Sequence, residues 1–116
     1  MIQTNHRIEY GSQNNAFVVR LRGEIDHHSA VDVRTRIDEK LLAERPARVL
    51  LDLSAIDFMD SSGLGLIMGR CSLVERYGGS FAVLDPSPAA LRMMTLAGME
   101  RRIAIEKTNP ERKERT

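Results

Sequence analysis

One cysteine in 116 residues, Cys71, excludes an internal disulfide, and its place on an apolar helical pattern reads as a buried thiol in a reducing compartment. Tryptophan is missing and aromatic residues make up 4% of the chain, so the sequence offers no stacking platform for bases. Charge of one sign is lacking too. The 17 basic and 16 acidic residues are interleaved and leave a net charge of +1, which argues against direct nucleic-acid binding. No apolar run approaches the roughly eighteen residues of a membrane span, and no basic-plus-apolar leader is present, so a cytoplasmic protein without a membrane partner is expected. Neither a GxSxG elbow nor a GxxxxGK[ST] loop occurs, and no enzyme activity or cofactor is expected. His27 and His28 are adjacent and therefore point apart, and no cysteine or third histidine is spaced to complete a site; no metal is expected.

What remains suits one α/β domain with a modest core. Residues 2–10 and 16–21 are strand candidates, and the turn formers Gly11-Ser12-Gln13-Asn14-Asn15 join them most simply as a hairpin. Glu24-Ile25-Asp26-His27-His28 reads as an exposed loop leading into a helix. In that helix Ser29 and Asp32 have the spacing of a weak capping box, Val33, Ile37 and Leu41 form the buried stripe, and Pro46 marks the end. Residues 48–53 read as a buried strand, with 54–59 carrying the chain onward. A later strand at 81–84 is followed by Ser87-Pro88 as N-cap and first helical position. Leu91, Met94 and Leu96 are the apolar positions of that helix, Gly98 is its C′ residue, and 103–105 is a final edge strand. The pattern predicts a mixed sheet covered by helices, with the domain at residues 1–108 and a polar, mobile tail at 109–116.

The most informative segment is Asp60-Ser61-Ser62-Gly63-Leu64-Gly65, which places two hydroxyls at a helix start near the C-terminal end of a strand. A helix start offers unpaired N–H groups and positive dipole density, so negative charge added there is tolerated. Leu64, Ile67, Met68, Cys71 and Val74 keep the rhythm of one apolar face, Arg70, Glu75 and Arg76 fall on the other, and Gly78-Gly79 supplies the stop. Gly63, Gly65 and Gly69 each cost a helix about 1 kcal/mol relative to alanine. Close approach by another backbone, within the domain or from a partner, is the expected reason. On the pattern alone, plain N-capping is the favoured reading of Ser61 and Ser62.

The run LLDLSAIDFMDSSGLGLIMGR, with LRGEIDHHSA before it and YGGSFAVLDPSPAALRMMTLAGM after it, resembles the STAS-domain anti-sigma-factor antagonists, and within them the branch that controls sigma-F in sporulation. The resemblance covers roughly residues 18–105. It implies the STAS fold, a mixed β-sheet with helices packed mainly on one face. It also implies that the serine directly after the aspartate, Ser61, is phosphorylated by an anti-sigma factor that is itself a serine kinase. The unphosphorylated form would bind that partner and free the sigma factor, phosphorylation would end binding, and a serine phosphatase would restore it. Ser62 would cap the helix or tighten its turn, and Asp60 would set the turn and serve kinase recognition. The matching segments make Glu24, Asp26, His27, His28, Asp60, Ser61, Ser62, Gly63 and Gly65 the partner-binding candidates. The family usually ends in a C-terminal helix, whereas residues 107–116 here are almost wholly polar. The alternative is a STAS module that binds a small anionic ligand or nucleotide at the same helix start without serine chemistry.

Overall fold

The computed structural model describes residues 7–108. The first part of the strand expected at 2–10, and the tail at 109–116, lie outside the described residues. Strand β1 (Ile8–Gln13) and strand β2 (Ala16–Ile25) form an antiparallel hairpin. Its turn is only Asn14-Asn15, with φ of 52° and 69°. Two consecutive left-handed residues are what a two-residue type I′ turn requires, and asparagine tolerates that region. Gly11, Ser12 and Gln13 therefore belong to β1, not to the turn.

The hairpin leads into α1 (His27–Glu44), β3 (Arg48–Met59), α2 (Ser61–Arg76), β4 (Ser80–Leu84), α3 (Pro88–Leu96), a short 3₁₀ turn at Met99–Arg101, and β5 (Ala104–Glu106). The sheet order is β1-β2-β3-β4-β5, and every pair after the hairpin is parallel. Three parallel crossovers thus step in one direction across the sheet. Since such crossovers are right-handed, all three helices must lie on the same face. The core agrees: Val19, Leu21, Val49, Leu51, Leu53 and Val83 from the strands form one cluster with residues of all three helices. The alternate strand positions Ala16, Leu50, Ala82 and Leu84, with Val18, cluster separately on the opposite face.

Strand β3 is longer than expected, and residues 54–59 belong to it. Its pairing with β2 slips twice, between Arg20 and Arg22 and between Gly23 and Glu24, so β3 carries extra residues near Ser54 and Asp57. Each bulge shifts the side-chain phase, which hides the strand's alternation in the sequence. At the first, the Ser54 amide turns to the Asp52 carboxylate at 2.8 Å. In α3 the buried residues are Ala90 and Met94, whereas Leu96 is 74% exposed, contrary to its expected place on the apolar face. Gly98 follows that helix with φ of 67°, and Gly78 follows α2 with φ of 95°, the left-handed stops expected of both.

Candidate functional site

Parallel strands β2 and β3 end together. Ile25 pairs with Met59, and the Asp60 amide then donates to the Ile25 carbonyl at 3.1 Å. Each strand therefore delivers an aspartate N-cap to the same edge of the sheet, Asp26 for α1 and Asp60 for α2. This convergence brings together the two segments that the sequence singled out.

At the first helix start the capping box is Asp26 with Ser29, not Ser29 with Asp32. The Ser29 amide donates to Asp26 Oδ1 at 2.9 Å, and the Asp26 amide donates to Ser29 Oγ at 3.0 Å. That amide bond is the main cause holding the Asp26 carboxyl below its usual range. The segment expected to be an exposed loop is ordered: Glu24 and the buried Ile25 finish β2, and His27 and His28 are the exposed first residues of α1. The two imidazole centroids are 5.9 Å apart, edge to face. Among the described residues no three of His, Cys, Asp and Glu gather where a metal could sit, and no helix is long and apolar enough to cross a membrane.

At the second helix start the cap is Asp60, whose Oδ1 accepts the Ser62 amide at 2.8 Å. Of the two roles expected of Ser62, capping falls to Asp60, while the Ser62 amide closes the turn onto it. Ser61 occupies the first helical position. It is exposed, and its hydroxyl makes no hydrogen bond among the described residues. Asp60, its neighbour in sequence, has Oδ1 engaged in the cap, while the Ser61 hydroxyl stays accessible. A phosphoryl group placed there would meet the positive end of the α2 dipole, although the Ser62 and Gly63 amides are already engaged by Asp60.

The three helix glycines have different reasons. Gly63 is buried, and a Cβ on it would stand 2.3 Å from Met59 Cγ. Close approach within the domain explains it, with a side chain and not a backbone as the neighbour. A Cβ on Gly65 or Gly69 would meet nothing within 4 Å. Gly65 instead opens a groove of about 240 Å³ between α1 and α2, with His27, Val31 and Arg34 on one wall and Ser62 and Leu66 on the other.

Two residues beside this site escaped the sequence reading. Arg70 was expected on the polar face of α2 but is 6% exposed, with Nε 2.7 Å from Asp38 Oδ1 of α1. The buried positions of α2 are Gly63, Leu66, Ile67, Arg70, Cys71 and Val74, a stripe that starts one residue before Leu64 and includes both a glycine and an arginine. The apolar-only pattern missed that phase, and only the recurrence Gly63, Ile67, Arg70, Val74 could have signalled it. Arg34, on the groove wall, looked like any exposed basic helix residue.

The sequence matches the STAS domain family over residues 7–113. The anti-sigma F factor antagonist of Paenibacillus polymyxa is 39% identical over 95 residues, 82% of this chain and 81% of that protein. Among solved structures, the unphosphorylated anti-sigma factor antagonist SpoIIAA superposes with a TM-score of 0.72 at 28% identity, over 93% of this chain and 94% of that one. The phosphorylated form of the Bacillus cell fate determinant SpoIIAA gives 0.66 at 28% identity, over 93% and 97%.

Proposed function

The chain belongs to the STAS-domain anti-sigma-factor antagonists, and from that membership we propose that it is a partner switch thrown by phosphorylation of Ser61. In its unphosphorylated state it binds an anti-sigma factor that is also a serine kinase, of the sigma-F type, and the sigma factor is freed. The kinase transfers the γ-phosphoryl group of ATP to Ser61 Oγ and supplies the base that takes the hydroxyl proton; a serine phosphatase reverses the change. Glu24, Asp26, His27, His28, Asp60, Ser62 and Gly65 frame the contact surface around that serine, with the buried Gly63 beneath it. The observation that carries this function is the Ser61 hydroxyl: exposed, unengaged, and at the first position of α2.

The physics of the switch is local. A phosphoserine adds about −1.5 to −2 charges. Within the free domain that charge sits favourably at a helix N-terminus, so the fold persists. Inside an interface the same group adds desolvation cost and repels acidic neighbours, so binding is lost.

Incubation with the cognate anti-sigma kinase and ATP, followed by intact-mass measurement and peptide mapping, tests this directly. One phosphate should appear on Ser61. Ser61→Ala should resist labelling and keep binding, Ser61→Asp should bind weakly at unchanged thermal stability, and Ser62→Ala should still be labelled on Ser61. Full labelling of Ser61→Ala, or undiminished binding by Ser61→Asp, would overturn the assignment. Nucleotide binding by the chain alone, with no phosphoryl transfer from the kinase, would favour an anion-binding module instead.

A further inference from the structure

We propose that the groove between α1 and α2 seats a segment of the anti-sigma factor that carries an apolar side chain beside a carboxylate, with Val31 and Leu66 receiving the first and Arg34 the second. The inference rests on the antagonist function proposed above and names the chemistry of the partner at that site.

The groove has the form of a receptor and no use in the fold. Val31 is 53% exposed on its wall, a large apolar side chain left in water. Gly65 sits opposite, at a helical position where alanine would be better by about 1 kcal/mol. Among the described residues nothing accounts for the glycine, since a Cβ there would meet none of their atoms within 4 Å. What a side chain at 65 would fill is the groove itself.

Charge then selects the occupant. Along α1, Arg36 is bound to Asp32 at 2.9 Å and Lys40 to Glu44 at 2.9 Å. Arg34 has no ion pair or hydrogen bond among the described residues. Asp38, one turn further along, is committed to Arg70. The Arg34 charge instead acts unfavourably on the buried Arg70 guanidinium. A carboxylate brought into the groove would relieve that repulsion and pair with a cation that has no partner among the described residues.

The placement also joins docking to the switch. Ser62 lines the groove and Ser61 precedes it in the same helical turn. A phosphate on Ser61 would therefore add negative charge at the helix-start end of the groove that takes the acidic occupant, and like charge in a partly desolvated interface opposes binding.

The test is titration calorimetry of the purified anti-sigma kinase with the full chain and three variants: Arg34→Glu, Gly65→Leu, and Arg92→Glu as an exposed control on α3. Arg34→Glu should weaken binding by about tenfold or more and flatten its salt dependence, as expected for loss of a cross-interface ion pair. Gly65→Leu should weaken it by a similar factor while its melting temperature stays at or above that of the parent. Arg92→Glu should bind as the parent does. If the parent is bound and labelled on Ser61 while Arg34→Glu and Gly65→Leu bind equally well, the groove is not the docking site although the antagonist function stands. If the parent is neither bound nor labelled, the function itself falls and the groove assignment with it.

Discussion

Arg70 of α2 and Asp38 of α1 face each other with Nε 2.7 Å from Oδ1 and Nη2 donating to Oδ2 at 3.3 Å, fastening α2 to its neighbour. The two ends differ in burial: the arginine side chain is 7% exposed and the aspartate 30%. Burial pulls the guanidinium below its ordinary pKa, and Asp38 opposes that pull.

That asymmetry makes the two deletions unequal. Asp38→Ala strands a buried cation and should destabilise by about 2–3 kcal/mol, below the 3–5 typical of a fully buried pair because Asp38 is partly open to water. Arg70→Met keeps most of the packing and leaves behind a carboxylate that water can reach, so its loss should be under about 1 kcal/mol. Urea unfolding of the two variants checks the order; equal losses would mean the pair does not act as described.

Gly63 and Met59 yield a coupled prediction. A Cβ at 63 would stand 2.3 Å from Met59 Cγ and 2.4 Å from Sδ, and Met59 is itself buried. Gly63→Ala should therefore cost about 1–3 kcal/mol through overpacking. Gly69→Ala, with open space around its Cβ, should gain up to about 1 kcal/mol of helix propensity. In a Met59→Ala background the cost of Gly63→Ala should shrink, and a double-mutant cycle in denaturant measures that coupling.

Acid sensitivity should pass through Asp26. Its folded carboxyl titrates below the ordinary value of 3.8, chiefly because it accepts the Ser29 amide. A depressed carboxyl contributes stability that is present above the unfolded pKa and lost as pH falls through the folded one. Melting temperature should accordingly drop more steeply below about pH 4 in the parent than in Asp26→Asn, which caps without titrating. Parallel slopes would show that other carboxylates carry the acid transition.

How much of this was legible in the sequence follows from where periodicity survives. The α1 stripe Val33, Ile37 and Leu41 was readable because apolar residues alone mark it, and all three are buried. Ser87-Pro88 and Gly98 were readable because caps depend on local chemistry. The second half of β3 was not, because two bulges break the alternation that identifies a strand. Arg70 was not, because its burial depends on a partner 32 residues earlier in the chain. At the site itself, Asp60 and Ser61 stood out by type and order, whereas Arg34 and Val31 gain meaning only once α1 is laid beside α2.

Cys71 gives the last test. The thiol lies in the core shared by α2 and the sheet, and burial first, then the charge of Glu75, pushes its pKa up to about 11. An unfolded cysteine ionises at about 8.5, so between that value and about 11 the unfolded chain sheds a proton that the folded chain retains. Fewer bound protons in the unfolded state mean that stability falls as pH rises through this window. Tyr10 and Tyr77 are also shifted upward by burial, but they are present in both parent and Cys71→Ala, so the difference between the two isolates the thiol. Cys71→Ala should start less stable through its small cavity yet lose less melting temperature from pH 8 to pH 11. Disulfide-exchange labelling provides the second readout. At pH 8 the native thiol should react far more slowly than the same chain in denaturant, because both access and thiolate fraction are low. Rapid native labelling, together with identical alkaline slopes for parent and variant, would place Cys71 outside the core.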